Sequence, residues 1–353
     1  MKPAAPCSPI RPLMRTTAIV KAAFGLILVP IAAHAQEVIV FGGPEDVKAW
    51  LVGQNWWGEE KRGEQLEVPR AIVTGINPQW RETAQKLTVP EKKEIFYRLM
   101  LPLVVHANEM VLDRRRRLER ARETLEAGDP LPDDDLTLIR DGAVLLRILD
   151  RKEADALPAR GAPVIEVVDA ALYRLDVIPA GLVLGQAAYE SGYGTSRFSI
   201  EGNALFGQWT YGGGGLVPEQ QRKQLGDHRI ASFDWPFDSV RGYFLNLSSH
   251  PAYEDFRSLR ADLKARDEPV TSLALADGLI RYSERGQEYV DTLKGMIRTN
   301  RLDIADGAIF RDEPIRFLIG TESADAAADM RARIEDLRAS GELAKIAERM
   351  RLD

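Results

Sequence analysis

Apolar residues at helical spacing dominate the chain from residue 90 onward. Ile95, Leu99, Leu103, Met110 and Leu118 predict one long helix that opens at Thr88 and Pro90 and ends at Gly128-Asp129-Pro130. Pro90 suits the first turn, where its missing N–H costs nothing, and Pro102 is expected to kink the helix. Leu136, Ile139, Leu145, Leu146 and Leu149 predict a second helix from about Asp134 to Leu157. After a break at Pro158 to Pro163, helix is expected from Val164 to Leu175, and another opens at Ile178-Pro179 and runs to Glu190. Helices resume at Ser239, with Val240, Tyr243, Phe244 and Leu247 on one face, then at Val270 to Arg281 and at Glu288 to Asn300. A charged amphipathic helix carrying Met330, Ile334, Leu337, Leu343 and Ile346 is predicted from Ser323 to Arg351.

Between residues 191 and 237 the helical period disappears. Gly192, Gly194, Gly202, Gly207, Gly212 to Gly215 and Gly226 alternate with aromatics, which predicts a loop-rich lobe with at most a hairpin, ending in a strand-like Arg229 to Phe233. Residues 36–89, punctuated by Gly42-Gly43-Pro44, Trp56-Trp57-Gly58, Pro69 and Pro78, read as an irregular leader with one short strand at Val38 to Phe41. The expected fold class is therefore α+β and mostly helical, with a glycine-rich, partly β lobe set between helices and a cleft between the two lobes. The expected divisions are 36–89 as leader, 90–157 as an N-terminal helical extension, 158–306 as the catalytic unit, and 307–353 as a connector followed by the C-terminal helix.

Composition narrows the function. The chain has 353 residues, 45% hydrophobic and 28% charged, with a net charge of −6, which argues against a general nucleic-acid binder. Lys2, Arg11, Arg15 and Lys21 precede an apolar run from Ala22 to Ala32 and an Ala33-His34-Ala35 cleavage pattern. Residues 1–35 thus read as a signal peptide with Gln36 as the first mature residue, so the expected location is periplasmic or otherwise extracytoplasmic. Cys7 lies inside that signal, so the expected mature chain carries no thiol nucleophile, disulfide or cysteine-bound metal. His106, His228 and His250 are widely spaced and show no metal-binding motif. The Arg114 to Arg117 run reads as a solvated surface, since four consecutive helical residues point to different faces.

The chemistry concentrates at the end of the helix that opens at Pro179. Glu190 occupies the last turn, followed by the helix-stopping Ser191-Gly192. The negative end of the helix dipole disfavours a carboxylate there by about 0.3–1 kcal/mol, and desolvation at the base of a cleft acts in the same direction. Both favour the protonated carboxyl that a glycosidase needs as its general acid. Helix geometry alone leaves an exposed, idle glutamate equally open.

The segment Gln186-Ala187-Ala188-Tyr189-Glu190-Ser191-Gly192-Tyr193-Gly194-Thr195-Ser196, followed by Asn203-Ala204-Leu205-Phe206-Gly207, resembles the signature of the glucosaminidase family. Leu175 to Pro179 and Phe206-Gly207-Gln208-Trp209 are similar to its bacterial Bax-type branch, and the resemblance spans roughly residues 67–303. It implies a lysozyme-like catalytic domain and hydrolysis of the β-1,4 bond after N-acetylglucosamine in peptidoglycan, with Glu190 as proton donor. It further implies Asn203 and Phe206 at the cleft floor and Tyr282 near the acid. Tyr193, Trp209 and Tyr211 are expected to offer rings to sugar faces; for Phe206 a core role is favoured. Two departures stand out: Ala204 replaces the usual second Asn, and Ser283 follows Tyr282 where the family often has Ala.

The second carboxylate stays open among Glu219, ranked first, Asp227, and the substrate's own acetamido group. A lytic transglycosylase and a non-catalytic glycan-binding or envelope-assembly module are the alternatives. The former is disfavoured by Leu205-Phe206-Gly207-Gln208 standing where those enzymes carry a Gly-Leu-Met-Gln segment. No metal, cofactor or nucleic-acid partner is expected. The expected partner is the peptidoglycan glycan strand, met by a monomer peripherally associated with the envelope.

Overall fold

The protein is described by a computed structural model covering residues 37–58, 65–210, 215–218 and 229–341. The expected signal peptide, Tyr211, Glu219, Asp227 and the end of the C-terminal helix lie outside these residues. In chain order the elements are β1 (Glu37–Phe41), α1 (Pro44–Gly53), β2 (Glu67–Val68), β3 (Ala71–Val73), α2 (Trp80–Lys86), α3 (Val89–Glu126), α4 (Asp133–Leu145), α5 (Arg151–Asp155), α6 (Ala162–Arg174), α7 (Ala180–Ser191) and α8 (Arg197–Gly202). They continue as β4 (Trp209–Thr210), β5 (Arg229–Ile230), α9 (Pro236–Ser249), α10 (Glu254–Ala265), α11 (Ser272–Leu275), α12 (Gln287–Thr299), β6 (Ile309–Phe310), β7 (Arg316–Gly320) and α13 (Ala324–Ala339). The fold is mostly helical with small sheets, an α+β arrangement.

The long helix α3 begins as its sequence implies. Thr88 accepts from the Glu91 N–H, and the Glu91 side chain returns to Thr88, closing a capping box. Pro102 lies inside α3, which continues through it to Glu126. The single helix expected over 134–157 is two: Arg147 takes a left-handed φ of 57°, and the chain restarts at an Asp150–Glu153 capping box. Leu118, Ala121 and Leu125 of α3 pack with Leu136 and Ile139 of α4 and Val164 and Val168 of α6 into a separate apolar cluster. The arginine run of α3 divides by face: Arg115 donates to the carbonyls of Leu172 and Leu175 at the end of α6, while Arg116 and Arg117 pair with Asp113 and Asp135. Arg260 of α10 adds bonds to the carbonyls of Tyr173, Arg174 and Asp176. The buried guanidinium of Arg260 and the partly buried one of Arg115 therefore satisfy the orphan carbonyls at this helix end.

The expected irregular leader is the main departure. β1 and β3 both pair in parallel with β7, in the order β1-β7-β3, and β2 pairs in parallel with β6. The leader and the expected 307–313 connector thus build small sheets together. Parallel strands require distant partners, and Glu37 aligns with Arg316. α13 covers β1, with Ala327 and Ile334 packed against Val40. In the glycine-rich lobe β4 and β5 form the short antiparallel ladder expected as a hairpin, joined by a Leu216–Ile230 bridge.

α7 is the central element, and every residue from Ala180 to Ala188 is buried. Its small residues make this burial achievable. A Cβ on Gly181 would collide with the backbone carbonyl of Leu302, and one on Gly185 would lie 3.0 Å from Leu293 and 3.2 Å from Ile297. The helix therefore sits against α12 and the 3₁₀ turn Leu302–Gly307 at a spacing that only glycine permits. Gly181→Ala is predicted to destabilise the protein by about 1–3 kcal/mol, as overpacking does. Gly295→Ala in α12, where an added Cβ meets nothing within 4 Å, is predicted to gain about 0.5–1 kcal/mol from helix propensity. Chemical denaturation midpoints of the two variants check both signs.

Candidate active site

The end of α7 is an unusual turn. Gly192, Tyr193 and Gly194 all take positive φ, at 59°, 60° and 76°. For Tyr193 this is a strained conformation, about 1–2 kcal/mol above the right-handed one. Its neighbours enforce it: Tyr193 N–H donates to the Ala188 carbonyl at 3.0 Å, Gly194 N–H to Ser191 Oγ at 2.8 Å, and Trp80 Nε1 of α2 to the Tyr193 carbonyl at 2.8 Å. Glu190 is thereby fixed at the last buried turn of a core helix.

The Glu190 carboxyl is partly buried, and among the described residues its side-chain partner is Tyr289 of α12, whose Oη donates to Oε1 at 3.0 Å. Tyr289 Oη accepts from Gln186 Nε2 at 2.9 Å, and Gln186 Oε1 accepts from Tyr243 of α9. Each phenol has a single proton, so the donors run in one direction: Tyr243 to Gln186 to Tyr289 to Glu190. Such chains polarise each bond in the same sense. Because Oε1 is the accepting end, a proton on the carboxyl resides on Oε2. Loss of hydration pushes the Glu190 carboxyl up to about 7, and the Tyr289 hydrogen bond draws it back part of the way.

An aromatic floor supports this chain. Tyr282 stacks on Tyr289 with centroids 5.5 Å apart and planes 12° apart, and Phe206 stacks on Tyr243 at 4.2 Å and 19°. Tyr189 meets Tyr289 edge-on at 5.5 Å. The Tyr282 hydroxyl donates to the Phe206 carbonyl at 3.3 Å. Burial, reinforced by the nearby Glu190 carboxylate, holds the phenols of Tyr243, Tyr282 and Tyr289 well above their ordinary range. They therefore remain neutral donors.

Of the residues singled out in the sequence, Phe206 and Tyr282 do lie beside the acid, but both are buried beneath it. Tyr282, only 5% exposed, stacks on Tyr289. Asn203 is committed elsewhere: its Oδ1 accepts from the Ile76 N–H, and its Nδ2 donates to the carbonyls of Phe233 and Asp234, tying the lobe to the leader. Tyr193 packs its ring edge-on against Phe96 and Tyr97 of α3. Trp209 is half-buried on β4. Ala204, the departure from the family pattern, is buried, and its carbonyl accepts from Ser199 Oγ. Glu201 is paired with Arg197 at 3.1 Å.

Sequence reasoning missed Tyr289 and the roles of Gln186 and Tyr243. One signal was present: Gln186 precedes Glu190 by four residues and shares its helix face. Nothing local links Tyr289 or Tyr243 to the acid. Among the described residues no cluster of metal-ligating side chains occurs.

A mostly helical domain with a partly buried, protonatable carboxyl at the end of its core helix, over neutral phenols, has a lysozyme-like layout. Residues 166–302 match the glucosaminidase family, described as mannosyl-glycoprotein endo-beta-N-acetylglucosaminidase. Protein bax of Escherichia coli (strain K12) is 37% identical over 134 residues, 38% of this chain and 47% of that protein. The chain thus spans about half the length of the curated relative it matches. No solved structure matches the chain. Residues 166–302 are thus similar to the glucosaminidase family, and the shared segment is similar to its Bax-type branch.

The raised carboxyl has a consequence for stability. Glu190 binds its proton more tightly in the folded state, about 7, than at the ordinary 4.5 of an unfolded chain. Its contribution is fully present below about pH 4.5 and is lost as pH rises through 7. Glu190→Gln keeps an acceptor for Tyr289 and cannot ionise. It is predicted to be more stable than wild type by about 2 kcal/mol near pH 8, and by little near pH 5. Unfolding curves at the two pH values measure the difference.

Proposed function

We propose that the protein is a peptidoglycan hydrolase, a β-N-acetylglucosaminidase that cleaves the β-1,4 bond after N-acetylglucosamine with Glu190 as general acid. The observation that carries this reading is the Glu190 carboxyl itself, raised to about 7 by burial and held by Tyr289 within the family's motif. Near neutrality a substantial fraction retains its proton, on the oxygen that Tyr289 does not occupy. That proton passes from Oε2 to the bridging oxygen as the glycosidic bond breaks, so that the leaving sugar departs with a neutral hydroxyl while positive charge develops at the anomeric carbon and ring oxygen of the N-acetylglucosamine. The new carboxylate then receives the Tyr289 hydrogen bond, which strengthens with its charge.

The partner for the second half of the reaction is Glu219 or Asp227 of the glycine-rich lobe, or the substrate's acetamido oxygen. Burial and the Tyr289 hydrogen bond set the Glu190 carboxyl. Residues 1–35 support action outside the cytoplasm, on glycan strands at the envelope.

Glu190→Gln is predicted to lower the release of reducing N-acetylglucosamine ends from purified cell wall by roughly 10²–10⁴-fold, the scale of general acid catalysis. Equal clearing by both proteins in zymography would reject the assignment. A product lighter by one water, with an anhydro end, would replace it with transglycosylation. Tyr289→Phe removes a hydrogen bond that favours the ionised form. The alkaline limb of its kcat/KM profile, where Glu190 loses its proton, is therefore predicted to move to higher pH. A limb that stays in place or moves to lower pH would rule out Tyr289 as the group restraining Glu190.

A further inference from the structure

The turn after Glu190 has a second side. Ser191, Gly192, Thr195 and Ser196 form one wall of a cleft of about 420 Å³, and α2 and the first turn of α3 form the other. From that opposite wall come Arg81, Gln85 and Lys92. In a chain of net charge −6, no carboxylate among the described residues lines this cleft. Both cations are free to receive an anion. Arg81 is exposed and donates Nε to the Thr195 carbonyl at 3.0 Å, which leaves its terminal nitrogens without an acidic partner among the described residues. Lys92 lies over the Tyr193 ring, Nζ 5.5 Å from its centroid, and likewise has no acidic partner there. The wall opposed to Arg81 thus begins one residue after the acid.

We propose that this cleft is a subsite for a carboxylate of the peptide stem carried by N-acetylmuramic acid. The inference rests on the hydrolase reading above. If the cleaved bond follows N-acetylglucosamine, the oxygen protonated by Glu190 is O4 of the muramic acid. The stem leaves that same sugar from the adjacent carbon, C3, through its lactyl ether. A stem therefore emerges beside Glu190 and must follow one wall of the site. Towards α12 the surroundings are the buried rings of Tyr282 and Tyr289, and the guanidinium on that side, Arg285, is already bonded to the Tyr189 hydroxyl and paired with Glu288. On the side of the turn, a guanidinium fork and an ammonium face an open polar cleft. Arginine suits this recognition because its parallel N–H groups match a carboxylate. Exposed pairs of this kind contribute more to selectivity than to affinity. The subsite makes the protein prefer peptide-bearing glycan over glycan stripped of its stems.

The test uses the full chain with Glu190→Gln, which binds without turnover. It is titrated with a peptidoglycan tetrasaccharide bearing stem peptides, and with the same tetrasaccharide after removal of the stems. The stem-bearing ligand is expected to bind about tenfold more tightly, the scale of one charge-assisted hydrogen bond. Adding Arg81→Gln and Lys92→Gln together is expected to collapse that ratio towards one. Arg81→Lys, which keeps the charge and loses the planar fork, is expected to retain part of it, whereas a purely structural role for Arg81 would affect both ligands alike. Binding of both ligands with a ratio that survives the double substitution overturns the subsite and leaves the hydrolase reading intact. Binding of neither ligand, together with a wild-type protein inactive on cell wall, overturns the glycan reading and the subsite with it.

Discussion

The Glu190 carboxyl gives up most of its water and receives one phenolic hydrogen bond in return. That exchange explains why the site is built from the inside of the protein outward. A carboxyl can be kept near neutrality only where its surroundings are apolar and its donors few. The central helix meets this condition by being buried along almost its whole length, so that its final turn emerges from the core already shielded. Gly185 is part of the same requirement, since it lets α7 approach α12, which carries Tyr289, while Gly181 admits the carbonyl of Leu302. Stability is sacrificed at this point, as it commonly is where a protein holds a reactive group.

The strained turn extends this organisation to the rest of the molecule. Gly192, Tyr193 and Gly194 reverse the chain directly after the acid, and Trp80 and Arg81 of α2 hold the carbonyls of Tyr193 and Thr195. The leader, which has the sequence character of a linker, is thus coupled to the site through α2, and its strands are coupled to the C-terminal segment through β7. Asn203 makes a further tie, joining the lobe to Ile76.

The helical framework was legible because its signals are local. Thr88 with Glu91 opens α3, Ser191-Gly192 closes α7, and apolar spacing marks the faces between them. The position of Glu190 was legible for the same reason: it belongs to a compact motif at a helix end. The Tyr243–Gln186–Tyr289 chain was not, because its members come from three helices and a phenol buried in a core looks like any other core aromatic. The parallel sheets were hidden for a related reason. Strands of two to five residues carry little periodicity of their own, and Glu37 and Arg316, which pair across the sheet, stand 279 positions apart.

What the amino-acid order determined by itself was therefore everything set by neighbours along the chain: the helices, their stops, the glycine-rich lobe, and the position of Glu190 at the end of the helix that enters the core. What only the tertiary structure decided was the chemical state of that residue and the company it keeps. Desolvation depends on what packs around a group, and a hydrogen-bond chain depends on which distant hydroxyls converge there. Neither property exists until the helices have assembled.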